Sequence, residues 1–407
     1  MTVMAPEQTS GVAAGRPQPQ TTIEATGGPF IRHTQDGRRL MYTATPTFGN
    51  PVNQPMVASP GYNKGYRLRF YQSGASGTFA ASTGAGGVDY PSSTIQLIQI
   101  KDAYGTVLFT GPGYDMAYLV PMFSGQFGFG ELADISNMPG FGVPGQYSSG
   151  IPAFANGQTT GNFCYDTYFP FEFAKAYGVI SGANASLLPT LQANIAAASS
   201  IWGTIGTQGT LTWELYADFY WLPQGAAVVP PGIGTTCQYV YQPCNPPIAS
   251  GATTLVQMPR LGGYLTCLIM DLRDSTGLRV EAFPQAPRFY VDGVPWIDSD
   301  IMFVLEDMAN AFQVGGFSGG TPTETSAPTK MITRPTGVLA LSRKTALAQR
   351  GLGLFETGEV FLSTNPGTQV EIAGSPWGTI SNTPGTLNVV AGQVVPSGVL
   401  IQGLPEV

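Results

Sequence analysis

Two stretches of this chain, 172 residues apart, share one pattern. Ile98-Gln-Ile-Lys-Asp-Ala-Tyr-Gly105 matches Met270-Asp-Leu-Arg-Asp-Ser-Thr-Gly277: apolar, any, apolar, basic, Asp, any, any, Gly. At the same offset Pro112 matches Pro284 and Tyr118 matches Tyr290. The pattern reads as a hairpin: an alternating strand, an Asp that starts a turn, a Gly that accepts positive φ, and a return strand. Two further echoes follow in the same order. Thr207-Gln-Gly-Thr-Leu211 matches Thr383-Pro-Gly-Thr-Leu387 at offset 176, and Pro189, Gln192 and Ile195 match Pro366, Gln369 and Ile372 at offset 177. Three echoes in order imply two copies of one fold. Each copy spans about 150–175 residues, which suits an eight-stranded jelly roll better than a seven-stranded immunoglobulin sandwich of about 100 residues.

Local texture supports an all-β fold. Gly65–Tyr71 alternates apolar and polar residues, and Ile95–Ile100, Thr106–Thr110, Phe163–Phe173 and Thr210–Tyr220 read as further strands. Ile301–Phe312 and parts of Phe171–Ser200 read as helix. Leu222–Pro259 is uncharged and holds Pro230-Pro231 and Pro246-Pro247, residues that break helices and cannot donate to a sheet ladder. The expected organisation is an N-terminal arm (1–60), a first jelly roll (61–229), a proline-rich linker (230–254) and a second jelly roll (255–407). Gly315–Thr329 reads as a flexible loop.

Charge narrows the function. Charged residues are 11% of the 407-residue chain, against roughly 25% in an ordinary soluble domain. A surface so poor in charge is easier to understand if neighbouring subunits cover it. The net charge is −7, yet residues 1–70 hold seven basic residues (Arg16, Arg32, Arg38, Arg39, Lys64, Arg67, Arg69) and three acidic ones (Glu7, Glu24, Asp36). That bias suits a solvated arm or one that faces phosphate. It is too small for a dedicated nucleic-acid surface, and no sequence-specific nucleic-acid partner is expected. The start of the chain lacks the pattern of a signal peptide, and no 18-residue apolar run marks a transmembrane helix.

No catalytic, cofactor-binding or metal site is expected. The single histidine, His33, lies among Arg32, Arg38 and Arg39, away from any nucleophile pattern. Gly315-Gly-Phe-Ser-Gly-Gly320 lacks the lysine of a phosphate loop. Asp298 and Asp300, with Glu306 and Asp307 nearby, resemble calcium ligands only in part; a loop leading into an Asp-capped helix is the expectation. Glu214 and Asp218 share a strand face, the arrangement of a glycosidase pair, but are expected to be plain surface residues. The five tryptophans are expected in the core or at interfaces rather than stacked on sugars. Cys237 and Cys244 are spaced to close a small disulfide loop, although all four cysteines are expected as free thiols.

These features resemble the double jelly-roll major capsid proteins of tectivirus-like, membrane-containing icosahedral bacteriophages. The resemblance covers roughly Gly61–Val407. It rests on the tandem halves, on the strand–Asp–Gly hairpins and on the run Gly262–Gly277 followed by Phe289-Tyr-Val-Asp-Gly293. It implies a non-enzymatic virion protein without cofactor. It further implies a homotrimer with a pseudo-hexagonal outline, neighbouring trimers and vertex or penton proteins as partners, and an N-terminal arm near internal membrane lipid. The stretch between Phe123 and Thr160 would then be a long insertion. A phage tail or spike receptor-binding β-protein and a secreted carbohydrate-active β-sandwich share the low charge and β-rich texture. A tailed-phage capsid fold would need a long charged spine helix, which the sequence does not offer.

Overall fold

The computed structural model describes residues 28–55, 61–123, 161–173, 176–182, 188–221, 230, 235–244, 247–249, 254–258, 262–312, 336–342, 362–363, 367–378 and 385–396. Residues 124–160 and 315–329, both expected as loops, lie outside the described residues. In the first half the strands are β1 (Gln35–Ala44), β2 (Pro51–Pro55), β3 (Tyr62–Ser73), β4 (Ala80–Ala81), β5 (Ile95–Lys101), β6 (Val107–Gly111), β7 (Phe163–Pro170), β8 (Ile180–Ser181), β9 (Thr190–Ile195), β10 (Trp202–Thr204) and β11 (Thr210–Trp221). The second half holds β12 (Thr235–Pro243), β13 (Thr254–Gln257), β14 (Tyr264–Arg273), β15 (Arg288–Val291), β16 (Val294–Asp298), β17 (Val338–Ser342), β18 (Leu362–Ser363), β19 (Val370–Gly374) and β20 (Thr386–Pro396).

Sheet order reveals the repeat. In the first half one sheet runs β1-β11-β3-β7, and the facing strands run β2-β9-β5-β6. In the second half one sheet runs β12-β20-β14-β17, and the facing sheet runs β13-β19-β15-β16. With the short strands β4, β8, β10 and β18 set aside and the rest renumbered one to eight within each half, both give orders 1-8-3-6 and 2-7-4-5. That is the jelly-roll order, in which a long hairpin rolls up so that first and last strands pair within one sheet. The two rolls are then fused. β12 of the second roll lies parallel to β6 of the first, Tyr239 opposite Phe109, which makes one nine-stranded sheet. Gly111 permits this approach: a Cβ there would stand 2.7 Å from Tyr241 Cβ. Phe109 stacks on Tyr239 at 5.5 Å and meets Phe169 edge-on at 5.4 Å, so both rolls share one apolar core.

Several expectations change. The arm expected over 1–60 holds two strands of the rolls: β1 pairs along β11 from Gln35–Trp221 to Ala44–Trp213, and β2 pairs with β9. Within the linker expected over 230–254, β12 pairs along its whole length with β20; its prolines fall outside or at the end of the strand, where no ladder donor is lost. Among the described residues, Phe171–Ser200 holds β8 and β9, where Leu191, Ala193 and Ile195 alternate inward with period two, and the expected helix is met only by the short turn Ala198–Ile201. The helix Ile301–Phe312 is present.

The largest correction concerns the repeat itself. Residues 98–112 form the β5–β6 hairpin, whereas 270–284 are the end of β14 and the turn after it. β5 corresponds by topology to β15, not to β14. The echo comes from a shared turn. Asp102 accepts hydrogen bonds from the Tyr104 and Thr106 amides, and Asp274 accepts them from the Thr276 and Leu278 amides. Gly105 and Gly277 both stand at φ of 85°. The same local chemistry closes two turns at non-equivalent places. The other two echoes are real in topology: they lead into β11 and β20, and lie on β9 and β19.

Candidate functional site

The expected site residues separate widely. His33 is exposed just past the short helix Gly28–Arg32. Asp300 accepts a hydrogen bond from the Met302 amide at 2.8 Å and so caps the helix Ile301–Phe312, while Asp298 pairs with Arg288 at 3.0 Å. Glu214 and Asp218 do share the outer face of β11, but each has its own partners. Glu214 accepts from the Tyr216 hydroxyl at 2.8 Å, and Asp218 takes Arg38 at 2.6 Å and Arg67 at 3.7 Å. Trp202, Trp213 and Trp377 are buried, Trp296 is half-buried, and Trp221 is exposed. All four cysteines are buried, and none is held in a disulfide. Burial pushes the thiols of Cys164 and Cys244 up to about 12, so neither is a thiolate near neutrality.

Two charged constellations remain, and sequence reasoning names neither as a unit. The first covers the outer face of β1-β11-β3-β7. Leu68 and Phe70 of β3 point inward; Arg67 and Arg69 point outward. Arg69 pairs with Asp166 at 2.9 Å, Arg67 lies over the Tyr168 ring at 5.7 Å, and Lys64 reaches Asp36 at 3.4 Å. Arg38, Lys64, Arg67 and Arg69, part of the N-terminal positive bias, thus belong to a mixed-charge sheet face rather than an arm.

The second constellation lies buried where the rolls meet. Asp89, Tyr114 and Asp115 come from the first roll; Asp271, Arg273 and Arg279 come from the second. Asp89 accepts from Arg273 at 2.8 Å and also from Arg279. Arg273 Nε donates to Asp271 at 2.6 Å, and Arg279 lies over the Tyr114 ring at 4.1 Å. Asp115 sits in a π-helical turn, Tyr114–Leu119, whose six residues are all buried. Burial, then the Asp271 charge, raises the Asp115 carboxyl well above its ordinary range. A cleft of about 440 Å³ opens beside it, lined in part by Ser93, Pro112, Asp115, Ser200, Tyr241 and Arg273. A sequence signal for this cluster exists: Asp115 and Asp271 each follow or precede runs of apolar residues in a chain that spends few charges.

No family model matches the chain, and no curated protein matches it. Solved structures do. The STIV major capsid protein aligns over 91% of this chain and 100% of its own length, with TM-score 0.55 and 11% identity. PBCV-1 VP54, fitted into a reconstruction of the virophage Sputnik, covers 90% of this chain and 95% of its own, with TM-score 0.52 and 10% identity. Together with the twice-repeated strand order, these matches decide the architecture. The chain is a double jelly roll. The Faustovirus major capsid protein shares this architecture at TM-score 0.50 and 11% identity, over 89% of this chain and 90% of its own. At such identities the likeness is one of fold. The double jelly roll explains why the charged cluster is central: it is the seam at which one roll is held against the other.

Proposed function

We propose that this chain is the major capsid protein of an icosahedral virion and acts as a structural, non-catalytic subunit. The observation that carries the reading is the fusion of two jelly rolls into one body, an architecture shared with viral major capsid proteins along nearly the whole chain. Division into rolls near residues 222–234 is part of the proposal, with β1 and β2 assigned to the first roll.

Six rolls from three chains give a trimer with a pseudo-hexagonal outline, the shape that tiles a closed shell. The low charge of the chain supports burial of its flanks by neighbouring copies. Vertex proteins would fill the five-fold positions. Residues ahead of Phe30 would face the shell interior and an internal lipid membrane. Phe30 supports such an anchor point: its ring is buried edge-on against Tyr62 at 5.6 Å and Tyr220 at 5.5 Å. Glu214 and Asp218, the pair suited by spacing to sugar hydrolysis, are held in a hydroxyl bond and charge pairs, which suits cohesion of the sheet.

Light scattering on the purified chain tests this reading. A particle of three times 42.9 kDa, about 129 kDa, is expected. A stable monomer at micromolar concentration would contradict it.

A further inference from the structure

The seam holds an odd number of charges. Three carboxylates (Asp89, Asp115, Asp271) meet two guanidinium groups (Arg273, Arg279), and relative exposure of the three acids is 4%, 2% and 1%. Both oxygens of Asp89 are taken, Oδ1 by Arg279 and Oδ2 by Arg273. Asp271 Oδ2 is taken by Arg273 Nε. The Oδ1 atoms of Asp115 and Asp271 are both buried without a hydrogen-bond partner, but Asp271 keeps an arginine on its other oxygen, whereas Asp115 makes no ion pair among the described residues. A buried carboxylate with no paired cation is costly, and the chain has a cheap alternative, which is to keep a proton there.

Among the described residues, the charges that act on Asp115 come from three segments. Asp271 and Arg273 reach it from β14, and Arg279 from the segment after the Asp274 turn. Asp89 reaches it from the loop before β5. Tyr241 of β12 lines the same cleft, its hydroxyl held neutral by burial. Tyr114, beside Asp115 on the π-helical turn, is likewise kept neutral by burial. Arg273 is shared between Asp89 and Asp271 and Arg279 pairs with Asp89, so two guanidinium charges face three carboxyl groups. The cleft gives water a route to the carboxyl.

We propose that the seam between the two rolls is locked by a proton on Asp115, so that closing the seam takes up one proton from solvent. With Asp115 neutral the cluster balances, two carboxylates against two guanidinium groups. With Asp115 ionised it carries one uncompensated negative charge inside the core. The inference concerns the single folded chain and does not depend on assembly into a shell.

The sign of the pH dependence follows. In the unfolded chain Asp115 returns to its ordinary value of 3.8; in the folded chain its value is raised. The folded state therefore binds the proton more tightly. Stability from this group is full below 3.8, then falls as pH rises, until the folded carboxyl itself ionises. One extra proton bound on folding shifts the unfolding constant by about tenfold per pH unit in that window.

Chemical denaturation of the full chain and of Asp115→Asn, across pH 4.5 to 7.5, reads this directly (~3 units, a window chosen from the linkage relation). The expected result is a ratio of wild-type to variant unfolding constants that grows about tenfold per pH unit, with the asparagine variant the more stable at the alkaline end. Parallel pH profiles would overturn the proposal. If the variant does not fold, infrared spectroscopy of the wild-type chain at neutral pH remains decisive. A protonated-carboxyl carbonyl band that vanishes on unfolding supports the lock; its absence from the folded chain overturns it.

Discussion

The sheets β1-β11-β3-β7 and β12-β20-β14-β17 have the same strand order but different surroundings. On β11, Leu211, Trp213, Leu215, Ala217 and Phe219 are buried, while Thr212, Glu214, Tyr216 and Asp218 between them are half-exposed. On β20 every residue from 387 to 394 is buried, and on β14 every residue from 265 to 272. The difference lies in what covers the second face. The segment Val120–Phe123 of the first roll packs against β14. The second roll's sheet also continues through β12 and β6 into the nine-stranded sheet, whereas the first roll's counterpart is a separate sheet with one face outward. One topology therefore holds two kinds of sheet. One has a mixed-charge outer face, and its charges are half-screened by water. The other is buried on both faces along β14 and β20, and the charges there must be matched inside the protein.

Lysine substitutions break this comparison most sharply. On β20, Val389→Lys and Val390→Lys point to opposite faces, and both are expected to unfold the chain, each costing several kcal/mol for a buried unpaired ammonium. On β11 only one parity is intolerant: Leu215→Lys unfolds, while Tyr216→Lys stays within about 1 kcal/mol. Thermal melts of the four variants check this. A β20 position that tolerates lysine would mean that one of its faces is open.

Charge pairs come next in size. Arg273→Met strips Asp89 and Asp271 of a partner inside the seam, and a loss of about 3–5 kcal/mol is expected in urea titration. Arg38→Ala removes an arginine whose side chain is 52% exposed, and a loss of only about 0–1 kcal/mol is expected, since Arg67 still faces Asp218. Equal losses would erase the distinction between the two sheets.

The smallest effect concerns the turns. Gly105→Ala and Gly277→Ala are each expected to cost about 1–2 kcal/mol, because both glycines hold the same left-handed conformation. Equal melting shifts would show that the turn chemistry is local and independent of which strand it follows.

These contrasts also explain what can be read from the sequence. Strands β3 and β11 alternate, and β5 and β6 are short apolar runs around an Asp–Gly turn, so all four are visible, β5, β6 and β11 to within a residue. The Asp300-capped helix is visible from its cap and apolar face. β14 and β20 are buried on both faces, so Leu265–Leu272 and Leu387–Val394 carry no period that would mark a face. The Asp–Gly turns mislead because turn chemistry repeats wherever a chain must reverse. The correct fold is reached with two sound echoes and one coincidental echo. The seam is hidden for a different reason. Asp89, Asp115 and Asp271 come together only through the fusion of the rolls, and no local spacing encodes that. Apolar neighbours, Ile269, Met270 and Leu272 around Asp271 and the run after Asp115, are the available hint of buried charge.

The central structural claim is that the two rolls form one cooperative body through the β6–β12 pairing and the charged seam. Native-state hydrogen exchange on the full chain measures it. The amides of β5 and β9 in the first roll and of β14 and β20 in the second are predicted to exchange with the same opening free energy, which Arg273→Met lowers equally in both. A first roll that opens at a lower free energy than the second, with Arg273→Met changing only one of them, would contradict the claim.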